Sequence, residues 1–234
     1  MAQTTWKHLV WLPGMAVTAW FVGGCGSKDS TGTPSPDYSV TADTAAPTTL
    51  GTSVTIHVHL TSSGASGPVT LSVTGAPASW TVTPPGAPVN LTANGSANAN
   101  VQVTVPTTGA AAAGGQTLTI TASGAGHDHT AKTLVTVANQ LILPIQLGAL
   151  ASTHWGSLGS DTIHINVGTV VSFRNDDTTG HLIHSNGSIP GIAHQSVVSP
   201  LAPGDSYSQT PTATGTDRIT CHLHLADTLK LRVQ

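Results

Sequence analysis

Apolar and polar positions alternate along most of the chain. Val54, Ile56, Val58 and Leu60 are interleaved with Thr55, His57, His59 and Thr61. A period of two places one set on the buried face of a strand and the other in solvent. Similar runs lie from Val69 to Val73, Val101 to Val105, Leu118 to Thr121 and Leu134 to Val137. Turns bearing Gly and Pro separate them at the spacing of an antiparallel sandwich. Beyond residue 138 the runs continue from Leu141 to Leu147, Thr162 to Val167, Val170 to Arg174 and Leu182 to Ser185. Ser196 to Ser199, Ser206 to Gln209, Asp217 to Cys221 and Leu229 to Val233 complete the set. These short strands, with turns such as Pro203-Gly204-Asp205, predict a Greek-key sandwich. The expected fold is all-β, with one sandwich over residues 38–138 and a second over 139–234.

Composition supports this. Only 7% of residues are charged, and the ten acidic residues are all Asp. The usual solvent-facing helix formers are scarce, while Thr and Val favour strands. Helical bundles and doubly wound α/β enzymes are therefore excluded. The formal charge of −3 leaves no basic footprint, so no nucleic-acid partner is expected.

The first residues read as an export signal. Lys7 and His8 precede an apolar run from Leu9 to Val22, too short to cross a bilayer comfortably. It ends Val22-Gly23-Gly24-Cys25, which resembles the lipobox of bacterial lipoproteins. The resemblance implies a signal peptide over residues 1–24 and a lipid on the Cys25 thiol. It also implies a protein exported and anchored to a bacterial membrane, facing the periplasm or the exterior. Residues 25–37 then form a flexible tether. With Cys25 lipidated, Cys221 has no disulfide partner, and a lone exported thiol invites an explanation such as metal ligation.

The stretch from Gly67 to Gly124 is similar to the immunoglobulin-like modules of bacterial secreted proteins, which implies a spacer or adhesive role. Two histidine pairs fall in this first sandwich. His57 and His59 share the polar face of a strand, and His127 and His129 are expected in a hairpin turn around Asp128. A surface metal site and a merely solvated face are both open for them.

Candidate chemistry concentrates near the C-terminus. The chain reads Cys221-His222-Leu223-His224, then Leu225-Ala226-Asp227, while His181 and His184 lie some forty residues upstream. A thiolate with two imidazoles suits a trigonal copper site. The run from Ile163 to Phe173, the Asn six residues before His181, the PGDSYS turn and the Cys-x2-His loop before a last strand together resemble the cupredoxins. The amicyanin and plastocyanin branches are the nearest. The resemblance implies one copper per chain, held by His181, Cys221 and His224, and single-electron transfer with unidentified redox partner proteins. His184 lies three residues from His181 on a strand, hence on the opposite face, and His222 should likewise face away from Cys221. His194 carries no motif.

The axial position departs from the family. Met1 and Met15 both lie in the signal peptide, so the mature chain has no Met. The shorter amicyanin spacing places Asp227 there, and the longer plastocyanin spacing places Leu229. Leu229, Leu231 and Val233 alternate with Lys230 and Arg232 as a core-facing strand, which favours Asp227. The function expected is that of a membrane-tethered, monomeric, non-enzymatic electron carrier. Copper delivery, or a metal-free adhesive lipoprotein, are the alternatives.

Overall fold

A computed structural model describes residues 35–109, 113–146, 156–157, 162–224 and 227–234, without the side chains of 156, 157 and 227. The export signal, Cys25 and most of the tether lie outside the described residues. Among those described, the chain is all-β. The first strands are β1 (Asp37–Ala42), β2 (Thr48–Leu50), β3 (Ser53–Ser63), β4 (Gly67–Thr74), β5 (Thr81–Thr83), β6 (Val89–Leu91), β7 (Ser96–Thr104), β8 (Gly114–Gly124) and β9 (His127–Ile145). The rest are β10 (Gly156–Ser157), β11 (Thr162–Ile165), β12 (Val170–Asn175), β13 (Ile183–Ser185), β14 (Ser206–Gln209), β15 (Gly215–Cys221) and β16 (Asp227–Val233).

They form three sheets. One has the order β1-β3-β7-β5, a second β14-β12-β9-β8-β4-β6 with β2 also on β9, and a third β10-β16-β15-β13 with β11 on β16. Ser35–Gln234 is one contact unit, and β9 shows how. Its first part pairs with β8 from His127 to Val137, and its last part pairs in parallel with β12 from Gln140 to Ile145. Thr133, Val135 and Val137 are buried, as are Leu141, Leu143 and Ile145, all on one strand face. Exposed Asn139 interrupts that face, and its side chain donates to the Gly168 carbonyl. The boundary drawn between residues 138 and 139 therefore falls inside one continuous strand.

The alternation expected in β3 holds, with Ile56, Val58 and Leu60 fully buried. Burying a side chain of this size contributes about 1.5–3 kcal/mol relative to leaving it in water. On the outer face, His57 and His59 sit directly across from Asn100 and Asn98 in the ladder with β7. His57 Nδ1 lies 2.9 Å from Asn100 Oδ1 and His59 Nδ1 lies 2.8 Å from Asn98 Oδ1.

Asp43 approaches His59 Nε2 at 3.3 Å. The Asn98 bond first, then Asp43, raise the His59 pKa above its ordinary value. A raised imidazole pKa stabilises the fold fully below the unfolded value of about 6.5 and loses that contribution as pH rises through the folded value. Asn98→Ala should therefore bring the His59 titration, followed by NMR of its ring protons, back toward the ordinary range. A titration unmoved by that substitution contradicts the assignment.

Two local expectations are corrected. His127 and His129 lie in strand β9, not in the turn, because the two-residue loop Ala125-Gly126 closes the hairpin just before them. Both loop residues have positive φ, 49° and 87°, as a primed hairpin turn requires. Ser196 to Ser199 is a turn closed by the Ser199 N–H on the Ser196 carbonyl. Its apolar pair, Val197 and Val198, is exposed and lies outside the strands.

Candidate metal centre

The sheet β10-β16-β15-β13 brings Cys221 to the end of β15, where it pairs with Ile183 of β13. Strand parity turns its side chain inward, and it is fully buried. The loop after it tightens at once, with the His224 N–H donating to the Cys221 carbonyl at 3.2 Å. That turn folds the His224 ring back, so that Nδ1 lies 3.5 Å from Cys221 Sγ. His181 enters from the loop between β12 and β13, with Nδ1 3.4 Å from the same sulfur. The two imidazole centroids are 4.9 Å apart. His181 and Cys221 are buried, while His224 is partly open to solvent.

Several bonds fix His181. Its backbone exchanges two hydrogen bonds with Leu201, 3.0 and 2.6 Å long. Its ring donates Nε2–H to Asp177 Oδ2 at 3.4 Å, since a carboxylate only accepts. That leaves the Nδ1 lone pair facing the sulfur. The Thr178 N–H first, and then the His181 ring, hold the Asp177 carboxyl below its ordinary pKa, against an opposing push from burial. Beneath the loop, fully buried Asn175 donates through Nδ2 to the Thr179 and Leu201 carbonyls at 2.7 and 2.9 Å. Its Oδ1 accepts from the Asp177 N–H at 2.9 Å. Asp177 was not singled out in the sequence. The available signal was a carboxylate four residues ahead of a ligand candidate.

Of the four candidates for the first coordination sphere, His181, Cys221 and His224 are thus together. Asp227 begins β16, where its backbone pairs with Ser157, and its side chain lies outside the described residues. Leu229 is buried in the core and pairs with Ile219.

Two other groups of donors assemble. His184, His194 and His222 present ring nitrogens within 4.8 Å of one another. Desolvation first, then His184 and His194, push the His222 pKa down. Between the starts of β1 and β9, Asp37 Oδ1 lies 2.7 Å from His129 Nε2 and 3.7 Å from His127 Nδ1. The His129 bond is the main reason the Asp37 carboxyl sits below its ordinary pKa. The His57–His59 pair belongs to neither group and is engaged with asparagines.

No protein-family model matches the chain, and no curated protein does. Solved structures that resemble it include a purple cupredoxin from Nitrosopumilus maritimus, 24% identical with a TM-score of 0.30, over 41% of this chain and 98% of that one. A Cu(I) amicyanin mutant is 19% identical with a TM-score of 0.30, over 42% of this chain and 84% of that one. A reduced amicyanin mutant is 19% identical with a TM-score of 0.31, over 41% and 83%. At TM-scores this low the likeness carries no argument, and the chemistry is read from the side chains themselves.

Proposed function

We propose that this chain is an exported, lipid-tethered copper protein that carries single electrons through a centre made by His181, Cys221 and His224. The observation that carries the reading is the convergence of two imidazole Nδ1 atoms on one buried thiol sulfur, at 3.4 and 3.5 Å. A soft sulfur with two imidazoles is a donor set that suits copper. Copper bound there supplies one-electron chemistry between Cu(I) and Cu(II).

The chain's own residues do the rest. Asp177 holds the His181 ring in one tautomer, and Asn175 keeps the loop that carries it from shifting. A donor set held this firmly resists rearrangement between the two oxidation states. Buried His181 and Cys221 keep water from one side, while His224 forms the solvent-facing edge through which a partner protein gains access. The first sandwich and the tether supply reach from the membrane.

The test is reversible redox cycling of the copper-loaded protein with rapid self-exchange and retention of copper against a chelator. Prompt loss of copper to the chelator indicates delivery instead of electron carriage.

Asp227 is proposed as the axial residue. A carboxylate is harder and more negative than a thioether and favours Cu(II). Asp227→Met should then raise the reduction potential by on the order of 100 mV, where about 59 mV is a factor of ten for one electron. Leu229→Met should do much less, because Leu229 is packed in the core. The reverse ranking in protein-film voltammetry contradicts the Asp227 assignment.

A further inference from the structure

The pairing of β13 with β15 builds a second donor group beside the first. Ile183 pairs with Cys221 and His184 with Thr220. Cys221 points into the core, so alternation turns Thr220 and His222 to the outer face, where His184 also lies. His184 and His222 are thus diagonal neighbours across the ladder, within reach of each other. Their rings stack at 4.3 Å between centroids, 23° apart in plane.

His194 is delivered from outside the sheet. Gly191 has φ +86°, and a Cβ there would sit 2.2 Å from the Thr210 carbonyl oxygen, so only glycine fits this turn. Gln195 then clamps Ile183 from both sides. Its N–H donates to the Ile183 carbonyl at 3.0 Å, and its side-chain oxygen accepts the Ile183 N–H at 2.9 Å. This lays the His194 ring edge-on against both others, with centroids 4.6 Å from His184 and 4.8 Å from His222.

The hydrogen bonds leave lone pairs free to ligate. His184 donates Nε2–H to Asn186 Oδ1 at 3.2 Å, and its Nδ1 is buried with no hydrogen-bond partner among the described residues. A buried ring nitrogen without a partner is costly unless something else binds it. His194 donates Nδ1–H to the Gln195 carbonyl, which leaves Nε2 as the free nitrogen.

We infer that His184, His194 and His222 form a second metal centre, for a borderline divalent cation of the Cu(II) and Zn(II) class. Imidazole suits these ions, and copper binds more tightly than zinc at a given nitrogen site. The two centres share short stretches of chain, since Cys221 and His222 are consecutive and His181 and His184 are three apart. The second centre uses no ligand of the first, so it stands whether or not the thiolate centre takes copper.

The test uses full-length protein carrying Cys221→Ser, which removes the thiolate, titrated with Cu(II) against a competing chelator. One equivalent should bind with an EPR spectrum of nitrogen ligation and no thiolate charge transfer. Zn(II) should displace it when in excess. His184→Gln and His194→Gln should each weaken this binding by roughly tenfold or more. His129→Gln, in the Asp37 group, should leave it unchanged. Thermal melting of the metal-free variants checks that each is folded. Equal affinity in folded His184→Gln and His194→Gln overturns the inference, as does loss of the equivalent in His129→Gln.

Discussion

Cys221→Ser should abolish the intense visible absorption of the Cu(II)-loaded protein, while Cys25→Ser should leave it intact. Charge transfer of that intensity needs a thiolate bound to copper, and Cys221 is the free cysteine among the described residues. Its sulfur lies within 3.5 Å of the Nδ1 atoms of both His181 and His224, so a serine hydroxyl takes the place of the one soft donor. The replacement is nearly isosteric and should leave the metal-free fold intact. Loss of the band together with a cooperative thermal transition near that of the parent separates a lost ligand from a lost fold. A band that survives Cys221→Ser removes the copper assignment.

Asn175→Ala should destabilise the metal-free protein by about 2–4 kcal/mol. The side chain is fully buried and carries three hydrogen bonds. Truncation removes the bonds to the Thr179 carbonyl and the Asp177 N–H, and leaves the Leu201 carbonyl with the His181 N–H alone. Leu201 is also the backbone partner of His181, so the ligand loop should loosen along with the core. Urea denaturation of the metal-free variant measures the first effect. Weaker copper retention measures the second. A change below about 0.5 kcal/mol, the range of an ordinary surface substitution, contradicts this role.

Different parts of this molecule were legible in the sequence for different physical reasons. Alternation marks long half-buried strands well, and β3, β4, β8, β15 and β16 follow it. It cannot tell which strand pairs with two different partners along its length, as β9 does with β8 and then with β12. Residues 133 to 145 keep one face inward almost throughout, and exposed Asn139 is the small break between the part of β9 that pairs with β8 and the part that pairs with β12. The short strands β2, β5, β6 and β10 have too few residues to show a period. Val197 and Val198 read as strand because they are apolar, yet both are exposed in a turn.

Two donors of the candidate centre, Cys221 and His224, come from one tight loop where spacing brings them close, while His181 was picked out by the resemblance to the cupredoxins. Strand parity also placed His184 and His222 away from it. Their union with His194 was not legible. It depends on the register that pairs Ile183 with Cys221 and on the Gln195 clamp, and neither leaves a mark in the linear sequence.

The measurement that tests the central claim most directly is X-ray absorption at the copper edge of the His194→Gln protein carrying one copper, both oxidised and reduced. That substitution removes competition from the three-histidine group and leaves the thiolate centre untouched. One short sulfur and two imidazole nitrogens are expected in both oxidation states, with little change in their distances. A first shell of nitrogen and oxygen alone, or a sulfur contact present in only one oxidation state, would contradict it.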